Sequence, residues 1–205
     1  LLGIERDEVI TDEEKEMIAY HEAGHALVAE HMPEADPLQK VTIIPRGGSL
    51  GVTEQVPEKE RYNMKKTYLL DRIAIMLGGR AAEKIKFNDV STGAGDDLKK
   101  ATQLARRMVC QWGMSDEIGP VVFKKGEPHP FLGRELAEDK DYSEHTAQVI
   151  DAEIKKITLG MEEKAREVLE SNLNQLDALA AALLEHETLT RAEVDGVVKG
   201  TQTAN

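Results

Sequence analysis

The sequence predicts a mainly α-helical fold with a small β-sheet or hairpin in its N-terminal half and a helical C-terminal region. Most of the 205 residues follow a helical pattern, and one short β-branched stretch lies near the front. Residues 141–199 read as helical, with one weak point at Gly160. The hydrophobic fraction of 40% is enough for a core and excludes disorder as the default.

The first predicted helix covers residues 12–32. Thr11 followed three residues later by Glu14 has the form of a capping box, in which each residue satisfies a backbone amide of the other. Pro33 and Pro37 end the helix, because proline lacks the amide proton that a continuing helix needs.

A hairpin follows the first helix. Residues 40–45 are rich in β-branched side chains, residues 46–49 form a Gly-containing turn, and residues 50–53 form a second strand.

Two further helical segments and a loop follow the hairpin. We predict a helix over 64–77 that stops at the glycines 78–79, and then one or two helical turns over 80–85. A flexible loop at 91–95 leads into a helix over 96–112, whose first turn is acidic and suits the positive end of the helix dipole.

Composition limits the classes of function. The net charge of −12 disfavours a nucleic-acid binder, which needs a basic face to replace counterions on phosphate. The single cysteine, Cys110, excludes an intramolecular disulfide. No apolar run approaches the roughly 20 residues of a membrane-spanning helix, so we expect a soluble fragment. Because the chain begins at Leu1 rather than Met, we expect it to be a piece of a longer protein.

The most informative stretch is His21-Glu22-Ala23-Gly24-His25. Two histidines four apart on a helix differ by about 40° in azimuth, so both imidazoles face one point in space. Zinc binds neutral imidazole, and Glu22 beside it can hold and deprotonate a water, as in a zinc peptidase. Gly24 supports this interpretation, because glycine inside a helix costs about 1 kcal/mol and needs a reason such as close approach of another backbone.

A catalytic zinc needs a third protein ligand, and the residues alone leave the choice open. His31 follows His25 at a spacing used by some zinc peptidases, but on a continuing helix it points about 240° away. Glu83 on a later helix is one candidate, and the pair Asp96 and Asp97 after a glycine-rich loop is the other.

Seven segments match a known family in the same order over residues 11–135; they are residues 18–28, 40–47, 50–53, 78–83, 91–98, 111–115 and 131–133. Through them the sequence resembles the protease domain of the FtsH-type AAA zinc metalloproteases. Beyond residue 141 the chain resembles that family in its helical pattern more than in its exact residues.

The resemblance implies an assignment of the site. The last Asp of a Thr-Gly-Ala-x-(Asn/Asp)-Asp string is the third ligand in that family, and it falls on Asp97. One Zn²⁺ per chain is then held by His21, His25 and Asp97, with Glu22 as the general base. Glu83 becomes the hydrogen-bond partner of a ligand histidine, which fixes its tautomer.

The resemblance also implies what surrounds this chain in an intact protein. Residues 1–205 form a single metalloprotease domain, with residues 1–12 leading in from an absent ATPase module and about 141–199 as its helical C-terminal part. ATP and Mg²⁺ bind only in that module. The intact protein is expected to be a homo-hexamer that degrades unfolded polypeptides, anchored in a membrane through absent segments, with this domain on the cytoplasmic side.

The segment Leu50, Gly51, Val52 and Thr53 is a candidate substrate site, since an extended peptide could add to it as a further strand. The alternative is an ordinary hairpin strand. For the whole chain, the alternatives are a thermolysin-like zinc peptidase that uses Glu83 as third ligand, and a non-catalytic helical assembly module.

Overall fold

The computed structural model describes residues 10–45, 51–57, 62–123 and 141–202. The described part contains six α-helices, three β-strands and one 3₁₀ turn. In chain order these are α1 (Asp12–His31), β1 (Leu38–Thr42), β2 (Val52–Gln55), α2 (Lys66–Phe87), the 3₁₀ turn (Thr92–Ala94), α3 (Gly95–Cys110), α4 (Glu144–Glu170), α5 (Leu173–His186), β3 (Thr188–Thr190) and α6 (Arg191–Gln202). The predicted mainly α fold with a small sheet is confirmed.

Helix α1 is the central helix of the fold. Its capping box is formed as predicted: the amide of Glu14 donates to Oγ1 of Thr11, and the amide of Thr11 donates to Oε2 of Glu14. Every residue from Ile18 to Ala29 is buried. The helix packs against α2 on one side and α5 on another, so the residues of its His-Glu-x-x-His motif lie inside the molecule.

The three strands form one antiparallel sheet in the order β2-β1-β3. Val41 in the central strand pairs with Thr53 of β2 and with Leu189 of β3. The hairpin β1–β2 was predicted, but the strands lie at 38–42 and 52–55 rather than 40–45 and 50–53. The third strand comes from the C-terminal part, which the sequence had indicated to be helical.

Helix α2 contradicts the prediction that residues 78–79 end a helix. It runs without interruption from Lys66 to Phe87. A Cβ on Gly24 would lie 2.5 Å from the carbonyl oxygen of Gly78, and a Cβ on Gly78 would lie 2.8 Å from that of Gly24. The glycines therefore serve a close crossing of α1 and α2, which is the reason expected for Gly24.

The C-terminal helices complete two apolar cores. One core joins α1, the sheet, α5 and α6 around Leu27, Leu179 and Leu189, and the other joins α2, α3 and α4 around Ile73, Met108 and Ile150. Helix α4 continues through Gly160. None of the helices in the described part is both long and apolar enough to cross a bilayer.

Candidate metal centre

Helix α1 places the three chemically important residues of the motif together. His21, Glu22 and His25 are 8%, 6% and 7% exposed, so they are largely removed from water. The one-turn spacing brings the Nε2 atoms of His21 and His25 to 3.0 Å from each other. Between Ile18 and Ala29 the helix is buried on all sides, and it presents two imidazoles to one interior point.

Asp97 completes the cluster from the first turn of α3. Its Oδ2 atom lies 3.2 Å from Nε2 of His21 and 3.2 Å from Nε2 of His25. The loop before α3 contains the 3₁₀ turn Thr92–Ala94, which directs the start of the helix at the histidine pair. Two nitrogens and one oxygen therefore form a nearly equilateral triangle.

This triangle fits a zinc ion. Ligand atoms at 2.0–2.1 Å from a tetrahedral Zn²⁺ lie roughly 3.3 Å from one another, close to the separations of the three donors here. Within the described part of the chain, His21, His25 and Asp97 have potential ligand atoms close enough together to bind one metal ion. Imidazole and carboxylate are ordinary zinc ligands, so both the chemistry and the spacing of the donors suit the ion.

The other ring nitrogens of both histidines have fixed partners. Nδ1 of His21 donates to Oε1 of Glu83 at 2.6 Å, and Nδ1 of His25 donates to the carbonyl oxygen of Ile75 at 2.7 Å. Protons held on Nδ1 leave the Nε2 lone pairs directed at the cluster. Ser91 in turn holds Glu83, since its amide donates to Oε2 at 2.6 Å and its hydroxyl donates to Oε1 at 3.0 Å.

The cluster attracts positive charge. Burial lowers the pKa of His21, but hydrogen bonds with Asp97 and Glu83 outweigh burial and raise that pKa to about 9. Burial raises the pKa of Asp97, but hydrogen bonds with His21 and His25 hold it well below its usual range. Three atoms with lone pairs face one another here. This arrangement favours a cation between them, either a proton or a metal ion.

The other candidate ligands lie elsewhere. Glu83 is 1% exposed and contacts the Nδ1 side of His21, opposite to the nitrogen that faces the cluster. Asp96 is 68% exposed at its side chain and forms an ion pair with Lys100 at 2.6 Å. His31 donates from Nε2 to Oε1 of Gln175 at 3.0 Å.

Glu22, which is next to His21 in the chain, also contacts the sheet through its carboxylate. Its Oε2 atom accepts a hydrogen bond of 2.6 Å from Oγ1 of Thr53. Val52 and Thr53 belong to β2, which lies at an edge of the sheet and pairs with β1. Leu50, the first residue of the predicted substrate segment, lies outside the described residues.

Several supporting contacts were not found from the sequence. These are the Ile75 carbonyl at His25, the Ser91 contacts to Glu83, the Thr53 contact to Glu22, and the room that Gly79 leaves for His21. Each one joins segments that are far apart in the chain. The sequence signal for them is the pair of glycines at 78–79, although the residue pattern predicts a helix end there.

The chain matches the family model for peptidase family M41 over residues 8–197. It is 57% identical to the ATP-dependent zinc metalloprotease FtsH of Nitrosococcus oceani over 97% of this chain and 31% of that protein. It is 53% identical to the protein of the same name in Syntrophotalea carbinolica, over 98% of this chain and 31% of that protein. The chain therefore spans about a third of the length of the curated relatives that it matches.

Proposed function

The chain belongs to peptidase family M41 as the protease domain of an FtsH-type zinc metalloprotease, and we propose how its residues catalyse peptide-bond hydrolysis. In this proposal His21, His25 and Asp97 hold one zinc ion and Glu22 is the general base. The predicted family resemblance is confirmed, and so are the enzyme class and the zinc cofactor.

Zinc would be held by Nε2 of His21, Nε2 of His25 and a carboxylate oxygen of Asp97, where it would act as a Lewis acid on the substrate carbonyl and lower the pKa of water. Glu83 keeps the His21 proton on Nδ1, and the Ile75 carbonyl does the same for His25. Both histidines are thereby fixed in the tautomer that a metal ligand needs.

Glu22 supplies the proton transfers of hydrolysis. Its carboxylate accepts a proton from the water that attacks the scissile carbonyl, and it then delivers that proton to the nitrogen of the leaving amine. Because Glu22 is 6% exposed, bulk water competes little with these transfers. Asp97 and Glu22 thus have different roles, since Asp97 contacts both imidazoles and Glu22 faces the sheet.

The observation that carries the proposal is the triangle of Nε2, Nε2 and Oδ2 atoms with edges of 3.0, 3.2 and 3.2 Å. It supports Asp97 as third ligand over Glu83, whose carboxylate contacts Nδ1 of His21 instead. It also argues against a non-catalytic assembly module, because the triangle is complete and Glu22 is present beside it.

The strand β2 is proposed to bind substrate. Its position at the edge of the sheet and next to Glu22 suits an extended polypeptide that adds as a further strand. Backbone pairing of this kind gives affinity with little dependence on substrate sequence. We extend this site to Gly51 and, from the sequence alone, to Leu50.

The intact protein is proposed to be an ATP-dependent, membrane-anchored homo-hexamer that degrades unfolded polypeptides. Residues 1–205 would form its single metalloprotease domain, with 1–12 joining an ATPase module and 141–199 as the helical C-terminal part on the cytoplasmic side. The chain by itself would then cleave unfolded casein but not a stably folded protein, because unfolding would depend on the ATPase module. Equal rates of cleavage of both proteins would contradict this proposal.

Two sets of variants test the site. Glu22→Gln should retain one zinc per chain and lose casein cleavage, because only the proton acceptor is removed. Asp97→Ala should lose most of its zinc, measured by metal analysis after gel filtration, whereas Asp96→Ala should keep it. Asp96 is a matched control because it is the adjacent carboxylate and is exposed.

Other outcomes would contradict the proposal. Full casein cleavage by Glu22→Gln would remove Glu22 as general base. Zinc retained by Asp97→Ala but lost by Glu83→Ala would favour the thermolysin-like arrangement. Absence of cleavage in the zinc-loaded wild type would argue for a non-catalytic module.

A further inference from the structure

A single hydroxyl group on β2 makes two contacts to the proposed general base. Oγ1 of Thr53 lies 2.6 Å from Oε2 of Glu22 and 3.3 Å from the backbone carbonyl oxygen of Glu22. The shorter contact is a charge-assisted hydrogen bond to a carboxylate, which is the stronger type. Thr53 therefore links the edge strand directly to the residue that transfers protons.

The other oxygen of the same carboxylate is confined by a glycine. A Cβ on Gly51 would lie 2.6 Å from Oε1 of Glu22 and 2.7 Å from its Cγ. The Glu22 side chain therefore occupies the space that a side chain at position 51 would need. The hydroxyl of Thr53 holds Oε2 by a hydrogen bond, and Oε1 lies against the backbone of Gly51, which has no side chain.

We propose that Thr53 is a positioning residue for catalysis, whose hydroxyl holds the Glu22 carboxylate in the orientation that proton transfer requires while Gly51 leaves room for it. This inference rests on the proposed function of Glu22. A glutamate side chain has three rotatable bonds, and fixing them before the reaction removes an entropic cost from the chemical step. The expected effect of Thr53 is therefore on kcat rather than on KM.

The hydroxyl is not needed to build the strand. Thr53 pairs with Val41 through the backbone ladder between β1 and β2, and the neighbouring pairs Thr42 with Val52 and Lys40 with Glu54 continue that ladder. Valine has the same shape as threonine and an equal or higher preference for strands. Thr53→Val therefore removes the hydrogen bond to Glu22 but keeps the backbone pairing and the strand preference that form β2.

The test compares Thr53→Val, Thr53→Ser and Thr190→Val in the zinc-loaded full chain, with a fluorogenic peptide as substrate. Thr190 is a matched control, since its hydroxyl also donates to a glutamate carboxylate, Glu193, at 2.7 Å from a strand on the opposite edge of the sheet. We expect Thr53→Val to lower kcat about tenfold or more with KM changed less than about twofold. Thr53→Ser should restore most of kcat, and Thr190→Val should match the wild type.

Zinc content, folding and a crystal structure separate positioning from a structural role. All variants should keep one zinc per chain and should be fully folded at the assay temperature. A crystal structure of Thr53→Val should show the Glu22 carboxylate displaced or in several conformers. Gly51→Ala should also lower kcat with zinc retained, because its Cβ forces the carboxylate away from its place.

The outcomes distinguish this inference from the proposed function. If the wild type cleaves the peptide and Glu22→Gln does not, the proposed function stands. Under that result, a Thr53→Val variant with wild-type kcat overturns the role of Thr53. A rise in KM at unchanged kcat, or a Thr53→Ser variant as slow as Thr53→Val, overturns it as well. If the wild type itself is inactive, the proposed function fails first.

Discussion

A Cβ atom on Gly79 would lie 2.5 Å from Nε2 of His21, so the imidazole occupies the space that any side chain at position 79 would fill. Gly79 lies inside α2, one residue after the glycine that contacts the backbone of α1 at Gly24. The same stretch of α2 therefore sets the distance between the two helices and leaves room for the His21 imidazole. The site depends on the helix crossing as much as on the ligands themselves.

Gly79→Ala should weaken zinc binding. The new methyl group has to displace the His21 ring, which moves Nε2 away from Asp97 and His25. We expect the zinc affinity to fall about tenfold or more, as for other changes that misorient a metal ligand. Competition with a chromogenic chelator measures this. Gly160→Ala is the control, since a Cβ there meets nothing within 4 Å, and equal zinc affinity for Gly79→Ala and Gly160→Ala would contradict the expectation.

Glu83→Gln should weaken zinc binding without removing a ligand. The neutral amide accepts the His21 proton less strongly than the carboxylate does, so the ring is less firmly held and less basic. Loss of such a partner costs roughly 10- to 100-fold in metal affinity. Ser91→Ala should cost less, because the Ser91 amide still donates to Glu83 at 2.6 Å. Titration calorimetry with zinc measures the affinities of both variants. A larger loss of zinc affinity in Ser91→Ala than in Glu83→Gln would contradict this expectation.

Gly24→Ala should destabilise the fold. Its Cβ would lie 2.5 Å from the Gly78 carbonyl oxygen and 2.7 Å from Cβ of Ala82, both of which belong to the rigid helix α2. Forcing the two helices apart should lower the free energy of unfolding by about 1–3 kcal/mol. Gly160→Ala should instead raise it by up to about 1 kcal/mol, because alanine is the better helix former at an open position. Urea denaturation of both variants measures the contrast, and a Gly24→Ala protein as stable as the wild type would refute a tight crossing.

The contact of Tyr20 with Asp177 should make stability depend on pH. The Tyr20 hydroxyl donates to Oδ1 of Asp177 at 2.6 Å and, with Lys86, holds the pKa of Asp177 below its usual value. Because the folded-state pKa is depressed, the stabilisation is present above about pH 4 and is lost as the pH falls through the folded pKa. Asp177→Asn should cost less than about 1 kcal/mol at neutral pH, since the side chain is largely exposed, and less still in acid.

Thermal unfolding of wild type and Asp177→Asn between pH 3 and pH 7 checks this dependence. Tyr20→Phe provides the matched background, because it removes the main donor to Asp177. The Asp177→Asn effect should shrink in that background. A destabilisation that is constant across the pH range would rule out the depressed pKa as its cause.

The local parts of the site were predictable from the sequence. The spacing of His21 and His25 fixes their relation on any helix, and the capping box of Thr11 and Glu14 marks where that helix begins. Gly24 was expected to mark a close approach, and the structure shows that approach at Gly78.

The long-range parts of the site were not predictable from residue patterns. The choice between Glu83 and Asp97 depends on which carboxylate faces Nε2 of His21, and this depends on the packing of α2 and α3 against α1. Only the resemblance to a family favoured Asp97. The glycines 78–79 were misread because local propensity favours a helix end there, whereas packing against α1 favours a continuous helix. Strand β3 has three residues between two helices, too few for a strand pattern.

The most direct measurement is a crystal structure of the zinc-loaded chain with anomalous diffraction recorded at the zinc edge. The geometry predicts one zinc site per chain at about 2.0–2.2 Å from Nε2 of His21, Nε2 of His25 and an oxygen of Asp97, with Glu83 still bonded to Nδ1 of His21. A zinc ion bound by Glu83, or one bound by the two histidines with the Asp97 carboxylate turned away, would contradict it.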